Sequence, residues 1–230
     1  MARALETQME LKEARELSFE ERLAMLVDAE TLHKENKGIS NRLKNAKLRL
    51  SACIEDLKIK SSRGLDRATI TALASCDWIR NKQNVFVTGP TGAGKTYLAC
   101  ALAHSACRHG FNSIYYRSSA LFDDLVVAKA DGRYKKLLSS MESKRLLILD
   151  DFGLEKLNSE GRRDMLELVE QRYNRSSIII TSQFSTEHWH DIIGDPTLAD
   201  AILDRITHNG QELKIKGKSM RDPKNQEQNG

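Results

Sequence analysis

The chain predicts an α/β fold, a parallel sheet covered by helices on both faces and preceded by a small all-helical domain. Three observations carry this expectation. From residue 84 onward, short β-rich apolar runs alternate with helical stretches. The first 85 residues contain no proline, and Leu17, Leu23, Leu26, Val27, Leu43, Leu48, Leu50, Ile54 and Leu57 fall mostly at three-, four- and seven-residue separations. The two textures meet at Ser61-Ser62-Arg63-Gly64, a linker composition, which sets the domains at 1–62 and 63–230.

The elements follow in order. Ser18 and Glu21 have the spacing of a capping box and open a helix on FEERLAMLVDAETL. Gly38 predicts a break, with a second, basic helix starting near Ser40. NVFVT is the first strand, followed by a helix starting near Tyr97, then the strand SIYYR and a long helical stretch near 119–142. RLLILD, a helix near 159–173, SSIIITS, a helix near 197–208 and a final strand ELKIK complete the alternation. Cys100 and Cys107, one heptad apart among alanines, predict buried helix contacts.

Composition narrows the classes. Thirty-six Lys and Arg against 32 Asp and Glu leave a net charge of +4, too small by itself to imply nucleic acid. The distribution is uneven: residues 1–32 carry four basic and eight acidic groups, whereas 33–63 carry nine and three. No apolar run approaches the roughly 18–20 residues a membrane helix needs, and the charged opening is unlike a signal peptide, so a cytoplasmic protein is expected. Four cysteines without Cys-x-x-Cys spacing argue against zinc or a disulfide framework.

The sharpest motif is Gly89-Pro90-Thr91-Gly92-Ala93-Gly94-Lys95-Thr96, which fits G-x-x-x-x-G-K-[ST] between a strand and a helix opening at Tyr97. Its glycines let backbone N–H groups converge on nucleotide phosphates, with the positive end of the helix dipole behind them. Lys95 would neutralise phosphate charge and the Thr96 hydroxyl would ligate Mg2+, so the expected cofactors are ATP and Mg2+. Asp150 and Asp151 end the apolar strand LLILDD, where strand ends converge on the phosphate crevice. Asp150 is placed to hold the magnesium shell and Asp151 to polarise the attacking water, although paired acids also occur as plain strand ends. Thr181-Ser182-Gln183 ends the third buried strand; its polar groups either reach the γ-phosphate or tie off the strand. Arg205 reads from chemistry alone as a solvated side chain or a partner of Asp204.

These residues resemble the IstB-type AAA+ ATPases, transposition helpers of bacterial insertion sequences, with the DnaC-type helicase loaders as near relatives. The resemblance covers almost the whole chain through RGLD at 63–66, GPTGAGKTYLA, LLILDDFGLEKL, IIITSQ and DRITHNGQELKIKGKSMR. It implies that Ser182 is the sensor of the γ-phosphate and Arg205 an arginine finger acting on a neighbouring subunit. It also implies oligomers on duplex DNA that recruit or stimulate a cognate transposase. Asp151 stands where many AAA+ proteins carry Glu, so slow turnover is expected. Only residues 217–230 follow ELKIK, too few for the usual helical lid, and Arg221 is a candidate substitute for the lid arginine.

A basic helical stripe of Lys34, Lys37, Arg42, Lys44, Lys47 and Arg49, with Arg117, Arg133, Lys135 and Lys136 near an insertion, forms the expected DNA surface; such stretches are also ordinary solvated faces. Contact with phosphates carries no sequence information directly, so largely non-specific binding is expected. The alternatives are a DnaC-like replicative helicase loader, a small-molecule P-loop kinase, and a DNA-binding module for which ATP is only a structural ligand.

Overall fold

The computed structural model describes residues 1–11, 14, 16–59, 61–217, 219 and 220. Its centre is a five-stranded sheet of β1 (Asn84–Thr88), β2 (Ser113–Arg117), β3 (Leu146–Phe152), β4 (Ser177–Ser182) and β5 (Gly210–Lys214), in the order β2-β3-β4-β1-β5. Every neighbouring pair is parallel. The three inner strands have both faces covered, which is why LLIL and III read as unbroken apolar runs.

Period-two alternation divides the core between two layers. Leu147, Leu149, Ile178, Ile180 and Phe86 face one layer, where they meet α6 (Ser118–Ala130), α7 (Tyr134–Glu142), α8 (Ser159–Arg172), α9 (Trp189–Ile193) and α10 (Pro196–Thr207). Trp189 joins this layer by edge-to-face packing on Phe86 and Phe152. Val85, Val87, Leu146, Ile148 and Ile179 face the other layer, formed by α3 (Arg67–Ala74), α4 (Asp77–Arg80) and α5 (Lys95–Arg108).

Helix α5 is buried nearly all round, and the small side chains of Ala99, Cys100, Ala101, Ala103, Ala106 and Cys107 make that possible. One side packs on the sheet; the other receives the segment after α2 (Phe19–Ala46) through Ala52, Leu48, Ile54 and Leu57. Both cysteines are buried helix contacts, as their spacing predicts.

The N-terminal helices differ from expectation at one point. The Ser18–Glu21 capping box forms, with Ser18 Oγ accepting from the Glu21 amide and Glu21 accepting from the Ser18 amide. The predicted break at Gly38 and new helix at Ser40 do not occur: α2 runs for 28 residues through Gly38 and ends at Lys47 in the left-handed conformation. A glycine inside a helix costs only about 1 kcal/mol, and the missing side chain leaves room for the Arg42 guanidinium to lie against it. Arg42 then donates from Nε to the Cys107 carbonyl at 2.7 Å and pins the end of α2 to α5. Ahead of α2, α1 (Ala2–Glu10) is tied by Gln8 donating to the Arg22 carbonyl.

Two further boundaries shift. The stretch near 119–142 is two helices, α6 and α7, separated at Asp131 and at Gly132, whose φ of +75° ends the first. The last strand lies at Gly210–Lys214, two residues earlier than ELKIK. Arg221 and the polar chain end lie outside the described residues.

A buried arginine joins α7, α8 and β4. Arg172, 1% exposed, donates to the carbonyls of Met141, Lys144 and Ser177. Burial pulls its pKa down, yet three acceptors hold the guanidinium in place. Replacing it in Arg172→Leu removes three buried hydrogen bonds to backbone carbonyls and should cost about 2–4 kcal/mol of stability, measured by urea unfolding.

Candidate nucleotide site

The site lies at the carboxyl ends of β1, β3 and β4. β1 stops at Thr88, the Gly89 amide donates to the Ser182 carbonyl, and the loop 89–94 turns back into α5. Gly89 and Gly92 have φ of +145° and +77°, and a Cβ on either would overlap the Ile215 carbonyl or Ser219. That close approach arises because the chain after β5 lies over the loop: the Ile215 amide donates to Thr88 O at 2.7 Å and the Met220 amide to Gly92 O at 2.9 Å. α5 is thus aimed with its amino end at the loop, and Lys95 Nζ donates to the Gly89 and Pro90 carbonyls at 2.8 and 3.0 Å.

Asp150 is fully buried, and three hydroxyls from three elements converge on it. Thr96 of α5 lies at 3.0 and 3.1 Å from its two oxygens, Tyr115 of β2 donates at 2.6 Å and Thr181 of β4 at 2.6 Å. Burial first, and then the bond to Asp150, push the Tyr115 pKa well above its usual value, so the phenol stays a neutral donor.

Asp151 leaves the strand geometry. Its φ is +61°, and the pairing of β3 with β4 shifts between Leu149 and Phe152. Its amide, freed from the ladder, donates to Thr181 Oγ1 at 2.9 Å. Consecutive strand residues normally point to opposite faces; here the turn brings both carboxylates within 3.6 Å of one Arg49 nitrogen. Arg117 Nε approaches Asp151 at 3.5 Å from the other side.

A cleft of about 390 Å³ joins these groups, lined by Thr96, Tyr97, Asp151, Gln183, Arg49 and Arg117 among others. Its residues fit a magnesium nucleotide. Magnesium takes oxygen ligands, keeps several waters and needs only one or two carboxylates beside the phosphates. The Thr96 hydroxyl and Asp150 carboxylate supply that set, and the loop amides at a helix amino end suit the phosphates.

The structure brings together the residues Gly89, Pro90, Thr91, Gly92, Ala93, Gly94, Lys95, Thr96, Tyr97, Asp150 and Asp151. Ser182 differs: its hydroxyl donates to Phe152 O at 2.8 Å and accepts from the Phe184 amide, with no solvent exposure, whereas the preceding Thr181 holds the acid pair. Arg205 lies at the other end of the sheet, near Asn84 and Ile178 at the amino ends of β1 and β4, bonded to Ala201 O and to Glu170 at 2.9 Å.

The residues of the basic stripe face in different directions. Lys34, Lys37, Lys44 and Lys47 are exposed, but Arg42 is spent on the Cys107 carbonyl and Arg49 and Arg117 turn to the acids of the cleft. Arg133 is paired with Asp131, and Lys135 and Lys136 are exposed on α7. Sequence reasoning noted Thr181 at the strand end but missed its bond to Asp150, and missed Tyr115 and the placement of Arg49. A hydroxyl at the end of the strand next to the acids was the available signal for Thr181.

Parallel strand order, phosphate loop and paired acids define a P-loop ATP-binding protein with the AAA+ core. The chain belongs to the family of IstB-like ATP binding proteins, whose family model matches residues 1–228. It is 45% identical over 221 residues to an insertion-sequence ATP-binding protein of Sinorhizobium fredii, covering 96% of this chain and 90% of that one. It is 34% identical to the ATP-binding protein of insertion sequence IS21 from Pseudomonas aeruginosa, covering 94% and 82%. Among solved structures, the DnaC helicase loader aligns with a TM-score of 0.60 at 23% identity over 74% of this chain and 100% of that one. DnaI aligns at 0.62 and 20% identity, over 74% and 91%. Among the described residues no helix is long and apolar enough to cross a membrane.

Thr181 gives this geometry a direct test. Thr181→Val removes the hydroxyl bridging Asp150 and the Asp151 amide, and should lower stability by about 1–3 kcal/mol in denaturant titration, with Thr181→Ser recovering most of it.

Proposed function

We propose that this chain is an ATP-dependent regulator of DNA transposition that assembles on duplex DNA in the cytoplasm, hydrolyses ATP slowly between subunits and recruits or stimulates a transposase. The observation that carries the ATPase reading is the pairing of Thr96 with Asp150 beside the phosphate loop, with Asp151 turned into the same cleft. The insertion-sequence names of the 45% and 34% identical relatives support the transposition context.

The bound magnesium nucleotide supplies the transferable phosphoryl group and the metal's charge. Lys95 and loop amides within 91–94 would bind the phosphates, while Thr96 and Asp150 would hold the metal shell. Asp151, held by Arg117, orients the water and accepts its proton. Ser182, bonded to Phe152 O and the Phe184 amide, sets the turn that presents Gln183 to the cleft, which gives the sensor role a route through its neighbour. Arg205, remote from its own cleft, serves the site of the adjacent subunit.

Subunit mixing tests these roles together. Lys95→Ala should abolish ATP binding, and Asp151→Asn should keep binding while lowering turnover by about two orders of magnitude or more. Arg205→Ala alone should lose turnover to a similar extent, because an arginine in trans contributes about 10³–10⁵ in rate. Mixed with Lys95→Ala it should regain part of the activity, since an intact cleft beside a Lys95→Ala subunit meets an intact arginine. Absence of that recovery, with assembly intact, would place the catalytic arginine elsewhere.

DNA contact is assigned to exposed Lys34, Lys37, Lys44 and Lys47 and to Lys135 and Lys136 on α7. Affinity for duplex should fall steeply with salt, and Lys44→Glu with Lys47→Glu should weaken all sequences alike. A clear preference for single strands in competition at fixed salt would overturn this reading in favour of a helicase loader.

A further inference from the structure

Arg49 is a cation that the roles above do not explain. It follows α2 by three residues, just beyond the left-handed Lys47, and enters the phosphate cleft rather than the exposed basic face. The chain is pinned on both sides of it, by Arg42 on the Cys107 carbonyl and by Ala52, 1% exposed against α5. The backbone at Arg49 is therefore held in register with the core, and its reach is that of its side chain.

The contacts that Arg49 makes with the acids are loose; its closer partner is the Tyr115 hydroxyl, a bond it exchanges if the guanidinium moves. One guanidinium nitrogen stands 3.6 Å from an oxygen of each, beyond hydrogen-bond length, and the side chain is 45% exposed. Asp151 has a second cation in Arg117 at 3.5 Å, and Asp150 has three hydroxyl donors, so both acids keep partners if Arg49 leaves. A divalent cation arriving at Thr96 and Asp150 repels a guanidinium already there. The triphosphate brings an anion into the same cleft, to which an arginine fork is well matched.

We propose that Arg49 reads the nucleotide in cis: its guanidinium rests on Asp150 and Asp151 when the cleft holds no nucleotide and moves to the terminal phosphate of ATP. ATP, unlike ADP, then ties the segment after α2 to the core, and nucleotide state reaches the N-terminal helices through this one side chain. The proposal rests on the ATP-binding reading of the cleft.

The test titrates the full chain with magnesium and fluorescent forms of ADP and of a non-hydrolysable ATP analogue, and follows hydrogen exchange across 47–59. Arg49→Ala should weaken the ATP analogue about tenfold while changing ADP by less than about twofold, with Arg49→Lys between. In the wild type, 47–59 should exchange more slowly with the ATP analogue than with ADP, and in Arg49→Ala that difference should vanish. Equal weakening of both nucleotides, no weakening of either, or wild-type exchange that is the same in both states overturns the proposal. A wild type that binds neither nucleotide overturns the ATP-binding reading itself, a separate result. The partial exposure of Arg49 and the charge-preserving lysine variant keep the outcome independent of folding.

Discussion

A carboxylate with no access to water governs the arrangement of this protein. Removing Asp150 from solvent is tolerable only if donors surround it, because an unpaired buried charge costs several kcal/mol. Its donors come from α5, β2 and β4, separated from it by 54, 35 and 31 positions in the chain. β3 must therefore lie between β2 and β4, with the amino end of α5 above it, and the strand order supplies that placement. A slip of one residue in β4 would turn Thr181 away from Asp150 and send the isoleucines to the opposite faces, so polar satisfaction and hydrophobic alternation fix the same register.

The same constraint accounts for the backbone at Asp151. Continuing the strand would send its carboxylate to the opposite face; the left-handed turn keeps it beside Asp150, at a strain that aspartate tolerates better than most residues. The amide released by that turn does not go unpaired, since Thr181 accepts from it while donating to Asp150. One hydroxyl thus stabilises both the buried acid and the bend that positions its neighbour.

Much of this was legible in the sequence, and what was not has common causes. The phosphate loop, the acid pair and the buried strands are local patterns, written in consecutive residues, and the Ser18–Glu21 cap is another. Gly38 misled because glycine is a statistical breaker whose cost is small beside the packing that Arg42 gains by lying against it. Arg42, Arg49 and Arg117 looked like members of basic surfaces because composition records that a group is cationic and says nothing of what it faces. Arg49 meets an acid 101 positions away, a relation that no periodicity encodes. At the end of β4, Thr181 and Ser182 offer the same hydroxyl chemistry, and only the register shift in β3 decides which one reaches the acids.

The distribution of arginines then constrains how such a chain works with its own copies. Arg49 and Arg117 reach the cleft from their own chain, on the carboxyl side of the sheet. Arg205 sits beside Asn84, Ile178 and Glu170, at the amino side, with strands β1 and β4 spanning the distance between them. A strand of five or six residues is roughly 17–20 Å long, well beyond the reach of an arginine side chain, so no rotamer of Arg205 serves its own nucleotide. In its own chain Arg205 instead binds the Ala201 carbonyl and Glu170. The two ends of the sheet therefore differ: Arg49 and Arg117 lie at the cleft of their own chain, and Arg205 lies at the opposite end, out of its reach.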